Sequence, residues 1–182
     1  MPRKWALLIL FAAAAAAAYD NYLSAKQKID SIEAGGLRSG SRVSLTYAEL
    51  DAWVAREVPD GVRNPRVQVT TRGVATGSAL VDFAKVQRSQ GHPPGWLMSK
   101  VLEGERPVRV TARIRSSAGA ATVDVERVEI SGVAIDGRTL EFLIQNVLLP
   151  LYPDAVVGKP FALGHGIDRL DVLPSAVSVT IK

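Results

Sequence analysis

The residues nearest to a reactive constellation are GHG at Gly164–Gly166 and the acid pair Asp168 and Asp171. A histidine close to two carboxylates would suit general acid–base work if its ring nitrogen met an acid across hydrogen-bond distance. Here the spacing argues against it. Asp168 and Asp171 fall at i, i+3 in a strand-like run and so on opposite faces. His165 sits between two glycines that permit positive φ, which reads as a turn rather than the seat of a base. No G-x-S-x-G elbow and no G-x-x-x-x-G-K-[ST] phosphate loop occurs. Cysteine is absent and the only histidines, His92 and His165, lie far apart, so thiolate, disulfide and histidine-rich metal chemistry have no residues to work with. The expectation is a protein that is not an enzyme, with no catalytic residue, no metal and no cofactor.

A row of arginines, Arg109, Arg113 and Arg115, is the remaining charged pattern. It alternates with Val108, Val110, Ala112 and Ile114 in RPVRVTARIRSS, and Asp124, Glu126 and Glu129 follow on the next strand-like segment. Cross-strand ion pairs on a wet face explain both rows without a ligand. The formal net charge of +4 includes Arg3 and Lys4, and no basic run with interleaved aromatics appears, so nucleic acid is not an expected partner.

What is left to do chemistry is apolar surface. Of 182 residues, 47% are hydrophobic and 22% charged, enough to fold and bury a core. SLTYAELDAWVA begins a helix with Thr46 and Glu49 as a capping box and Leu45 and Leu50 as a hydrophobic staple. The helix runs from about Tyr47 to Val58 with Leu50, Trp53 and Val54 on one face, and Pro59 ends it. Residues 93–104 form a second candidate helix, with Trp96, Leu97, Val101 and Met98. In RTLEFLIQNVLLPLYP (138–153), Leu140, Leu143, Ile144, Val147, Leu148 and Leu151 hold helical spacing, and Phe142 and Leu149 are apolar outside that stripe. A helix this apolar against one sheet needs either a thick core or a face given to a lipid or membrane.

The elements positioning these helices are mostly alternating strands. They are RVQVTTRG, ALVDFAKV (79–86), RPVRVTARIRSS, TVDVERVEIS and the pair within IDRLDVLPSAVSVTIK around Leu173–Ala176. Alternation on this scale implies antiparallel pairing with one face wet. In TVDVERVEIS the apolar parity switches between Val125 and Val128, which predicts a bulge near Glu126–Arg127.

Ahead of these, MPRKWALLILFAAAAAAAYDNYL joins a basic start to an uncharged run of 15 residues, Trp5 to Tyr19. As helix that run is about 22 Å long, against a bilayer core of about 30 Å. The choice between a signal anchor and a cleaved signal peptide stays open. Small residues at Ala16 and Ala18 permit cleavage, while a helical pattern continuing through Tyr22, Ile29 and Ile32 favours an anchor. Either way, Arg3 and Lys4 send the rest of the chain out of the cytoplasm. The chain divides into an anchor or signal with helical stalk at 1–34, a Gly/Ser linker at 35–42 and an α+β domain at 43–182. The expected location is the periplasmic or extracytoplasmic face of the inner membrane, or outside the cell if the segment is cleaved.

This order of pieces resembles the YpmS-like and LmeA-like bacterial envelope proteins, in which a "(S/T)LTxxELNxhL" helix start and a terminal strand pair recur. Ser44, Leu45, Thr46, Glu49 and Leu50 match the first motif, with Asp51 where Asn is common, and IDRLDVLPSAVSVTI matches the second. The resemblance implies a curved antiparallel sheet partly wrapped around two or three amphipathic helices, half of a tubular lipid-binding module, with a groove suited to acyl chains. Lacking an N-terminal cysteine, the chain would rely on its own helix as the membrane anchor. The expected function is binding of a lipid or another apolar small molecule. The expected wall is Trp53, Phe83, Trp96, Leu97, Ile114, Leu140, Leu143, Ile144 and Val147. The alternative is a structural or interaction module of the envelope with a fully packed core and a protein partner.

Overall fold

A computed structural model describes residues 3–89, 104–145, 149 and 156–182, with side chains from Ala17 onward (Gln87 aside). Helix α1 (Arg3–Glu33) is followed by β1 (Arg42–Leu45), α2 (Tyr47–Glu57), the hairpin β2 (Val62–Thr71) and β3 (Val74–Val81), and the short α3 (Phe83–Ser89). Next come β4 (Arg106–Ser117), β5 (Ala120–Ile130), β6 (Val133–Ile135), α4 (Gly137–Leu143), β7 (Phe161–Ala162), β8 (Ile167–Leu173) and β9 (Ala176–Ile181). The protein is α+β, and every strand pairing among the described residues is antiparallel. A small sheet has the order β1-β9-β8; a larger one runs β2-β3-β4-β5-β6, with β7 also paired to β5.

The capping box at the head of α2 forms as its sequence demands. Thr46 Oγ1 accepts from the Glu49 N–H at 3.2 Å, and Glu49 Oε2 accepts from the Thr46 N–H at 2.8 Å. Glu49 does more than cap. Its carboxylate is buried against α1, where Lys28 Nζ donates at 2.7 and 2.9 Å and Ser24 Oγ at 2.5 Å. Burial alone would raise this carboxyl. The hydrogen bonds from Lys28, Ser24 and the Thr46 backbone, with the Lys28 charge, outweigh burial and hold it at about 2. The stalk-like half of α1 is thereby clamped to α2.

The end of α1 also enters the core. Ile32 packs with Val179 and Ile181 of β9, and Leu37, Val43, Ile167 and Leu170 close around them. The turn after α1 is held to the sheet by the Gly40 N–H donating to the Ile181 carbonyl at 3.0 Å. Among the described residues no helix is long and apolar enough to cross a membrane.

Two expected elements changed. ALVDFAKV does not continue as a strand: β3 stops at Val81, and Asp82 Oδ1 accepts from the Lys85 N–H at 2.9 Å, starting α3 at Phe83. Capping at the end of an alternating run overrides the alternation. That same bond, from the Lys85 backbone, holds the Asp82 carboxyl below its usual range. The expected helix over 138–153 is observed as Gly137–Leu143, with residues 146–148 and 150–153 lying outside the described ones; so do residues 93–103 of the expected helix at 93–104.

Candidate functional site: an apolar groove on the larger sheet

Every strand of the larger sheet that reaches the site does so by alternation. On β4, Val108 and Val110 turn inward while Arg109 turns to solvent. Their partners on β5 are Ile130 opposite Val108 and Val128 opposite Val110. Beyond Arg127 the register skips Glu126, so that Ala112 pairs with Val125. That bulge lies at the predicted position. It lets Val125 and Val128, of opposite parity, line one wall together.

The result is a hollow of about 220 Å³ whose described lining is apolar throughout. Its floor is Val81, Val108, Val110, Val125, Val128 and Ile130; one side is Pro59, Val62, Phe83 and Val86, and the other is Leu140, Leu143 and Ile144 of α4 and its C-terminal end. A second hollow of about 200 Å³ shares Val62, Val81, Val108 and Val110 with the first and runs on toward α2, where Val54 and Val58 form its side. The shared residues make one trough, α4 at one end and α2 at the other. Jointly the two hollows reach the size range of small-molecule sites.

Of the nine residues expected in the wall, Phe83, Leu140, Leu143 and Ile144 line this groove. Trp53 is half-buried on α2 and lines neither hollow. Ile114 points to the same side of β4 as Val108 but lies further along, bordering a separate hollow with Gly73 and Val172, and its N–H donates to the Gly73 carbonyl at 2.7 Å. Trp96, Leu97 and Val147 lie outside the described residues. The residues missed are Pro59, Val86, Ile130 and the strand valines Val62, Val81, Val108, Val110, Val125 and Val128. The valines' signal was the clean alternation of β4 and the parity switch of β5, which pointed to this face as firmly as any helix stripe.

The charged candidates resolve into structure. Arg109 meets Glu129 at 3.5 Å, Arg113 meets Glu126 at 2.6 Å and Arg115 meets Asp124 at 2.5 Å, a ladder of exposed cross-strand ion pairs. His165 adopts φ +53° in the turn before β8, and its Nδ1 lies 2.9 Å from the Glu33 carbonyl oxygen at the end of α1. Asp171 is engaged by Arg42 at 2.5 Å and by Arg169 at 3.4 Å. Among the described residues no group of three His, Cys, Asp or Glu side chains could hold a metal ion.

The fold and the site thus describe an α+β protein with an apolar groove, lined among the described residues by the inner face of its larger sheet. No protein-family model, no curated protein and no solved structure matches the chain.

Proposed function

We propose that this protein binds a lipid or another apolar ligand in the groove and does so by sequestration rather than by catalysis. The observation that carries the reading is the trough itself, continuous from α2 to α4 and walled by Phe83, Leu140, Leu143, Ile144 and the strand valines. Such walls take acyl carbon out of water at about 0.8 kcal/mol per buried methylene. The resemblance of Ser44–Leu50 and the terminal hairpin to the YpmS-like and LmeA-like envelope proteins supports the same reading, including a sheet curved around its helices.

On this reading the uncharged run Trp5–Tyr19, which fills the first half of α1, tethers the domain to the inner membrane with Arg3 and Lys4 on the cytoplasmic side. The domain then stands in the extracytoplasmic space. A second reading, an envelope interaction module, draws on the exposed Val133 of β6 and Phe142 of α4, 62% and 57% accessible, which would serve a protein partner.

Native mass spectrometry of the full chain, purified from a bacterial envelope fraction in detergent and followed by lipid extraction, tests the proposal. A lipid at defined stoichiometry, lost when Leu143→Asp is introduced into a protein that stays folded, is the expected result. Bare protein that also takes up no fluorescent fatty acid would favour the interaction module.

A further inference from the structure

Resting on the tether in the reading above, we infer that the end of the domain carrying the groove lies against the surface of the bilayer in which α1 begins. The partner of this end is then the lipid surface itself. The contacts of α1 carry the inference, because they climb the domain level by level. At its C-terminal end α1 touches only the small sheet and its turns. The Glu33 carbonyl oxygen lies 2.9 Å from His165 Nδ1, Ile32 packs with Val179 and Ile181, and Lys28 Nζ donates to the Ser44 carbonyl at 2.9 Å. Nearer the N-terminus, Ser24 and Lys28 meet Glu49 in the first turn of α2. Tyr22 and Tyr19 then meet Arg56 in its last turn, with the guanidinium carbon 4.5 and 5.6 Å from the two ring centroids. Thus α2 runs antiparallel to α1, and the contacts from Glu33 to Tyr19 cover about 21 Å of helix.

Just beyond Arg56, Val58 and Pro59 enter the lining of the trough. The strands agree on which end of the sheet this is. Val62 begins β2, Val81 ends β3, Val108 lies near the start of β4 and Ile130 ends β5, and all four line the groove. At the opposite end, the Gly73 and Gly119 N–H groups donate to the Val172 and Asp168 carbonyls of β8, each at 2.8 Å. The small sheet and the groove therefore stand at opposite ends of the larger sheet. Helix α1 leads from the first to the second and arrives there as its uncharged run, Trp5–Tyr19, begins. Ile32 and the Lys28–Glu49 pair fix it to the domain, so it cannot swing as a free stalk would.

This end also presents the side chains a lipid surface favours. Of the five large apolar residues left exposed among the described ones, Tyr19 and Leu23 belong to this half of α1, and Val133 and Phe142 to the groove end. Val133 reaches it by pairing with Ile130 at the end of β5. Tyrosine rings collect at the membrane–water interface, and an arginine beside them keeps its charge among the head groups while its stem stays apolar.

The absence of cysteine makes the test direct. Asp60→Cys and Val133→Cys mark the groove end, and Ser117→Cys marks the far end of β4, about 30 Å of strand from Val108. All three positions are exposed. Each full chain is labelled with a nitrobenzoxadiazole dye and reconstituted into phosphatidylcholine–phosphatidylglycerol vesicles that carry a nitroxide on the lipid head group. Native circular dichroism is required of each labelled chain. Quenching at positions 60 and 133 is expected to exceed that at 117 by about threefold or more, given that separation. Quenching at 117 that equals or exceeds the other two, or none at any position in chains that float with the vesicles, would overturn the inference and leave the tether standing. Chains that do not float with the vesicles would overturn both.

Discussion

On the β1-β9-β8 sheet, Val179 and Ile181 are covered by Ile32 from α1, and each of the three is less than a tenth exposed. On the larger sheet, Val108, Val110 and Val125 have the same residue type and the same alternation, yet they remain half-buried and border a hollow among the described residues. The difference lies in what crosses each face. The small sheet receives the last turns of α1, anchored by the Lys28–Glu49 clamp. The described parts of α2, α3 and α4 instead meet the edges of the larger sheet's inner face and leave its middle uncovered. Apolar alternation thus says which face leaves water, and the neighbouring helices decide whether it meets protein or space.

This contrast predicts unequal costs for equal truncations. Ile32→Ala and Ile181→Ala should each destabilise by about 2–4 kcal/mol, since a packed core leaves a cavity when trimmed. For the same reason a chain starting at Ser41, lacking Ile32, Lys28 and Ser24, should lose cooperative thermal unfolding. Denaturant titration of the full-length variants checks the first, and a thermal melt followed by circular dichroism checks the second.

The Glu49 clamp should be next in size. Its folded carboxyl, near 2, lies below the ordinary value of 4.5, so its stabilisation is fully present above about 4.5 and is lost as pH falls toward 2. Glu49→Gln should cost about 2 kcal/mol at neutral pH, and the gap to the native protein should close over that window. Urea titrations of both proteins at several pH values give the answer. A gap that stays constant down to pH 2 would remove the clamp from the account.

In the groove, Leu143→Ala should cost about 1 kcal/mol or less because the side chain already borders open space, while weakening fatty-acid uptake several-fold in a fluorescence titration. Smallest of all, Arg113→Gln should change stability by less than about 0.5 kcal/mol, as exposed ion pairs do.

Much of this was legible in the chain. Thr46 and Glu49 announced α2, Glu126–Arg127 announced the bulge, and the arginine row announced its carboxylate partners. Those signals are local or involve neighbouring strands, where spacing alone sets who meets whom. Two features were not legible. Lys28 and Ser24 reach Glu49 from a helix that reads as a free stalk, and only the docking of α1 reveals them. Alternation also carried the strand reading past Val81, because the capping strength of Asp82 depends on the backbone turning there. The groove was half legible: Leu140, Leu143 and Ile144 stood out by helical spacing, and Phe83 by an alternation that belonged to a strand the structure ends at Val81. The valines needed the pairing of β4 with β5 to place them on one floor.

The absence of cysteine offers a direct test of the contrast between the two sheets. Val110→Cys and Val179→Cys each place a single thiol, one in the groove and one in the packed core. Modification of the folded full-length protein by an apolar maleimide should be fast at Cys-substituted position 110, slow at position 179, and suppressed at 110 by added fatty acid. Equal protection of both positions, or a rate at 110 that fatty acid leaves unchanged, would contradict an open, ligand-binding groove.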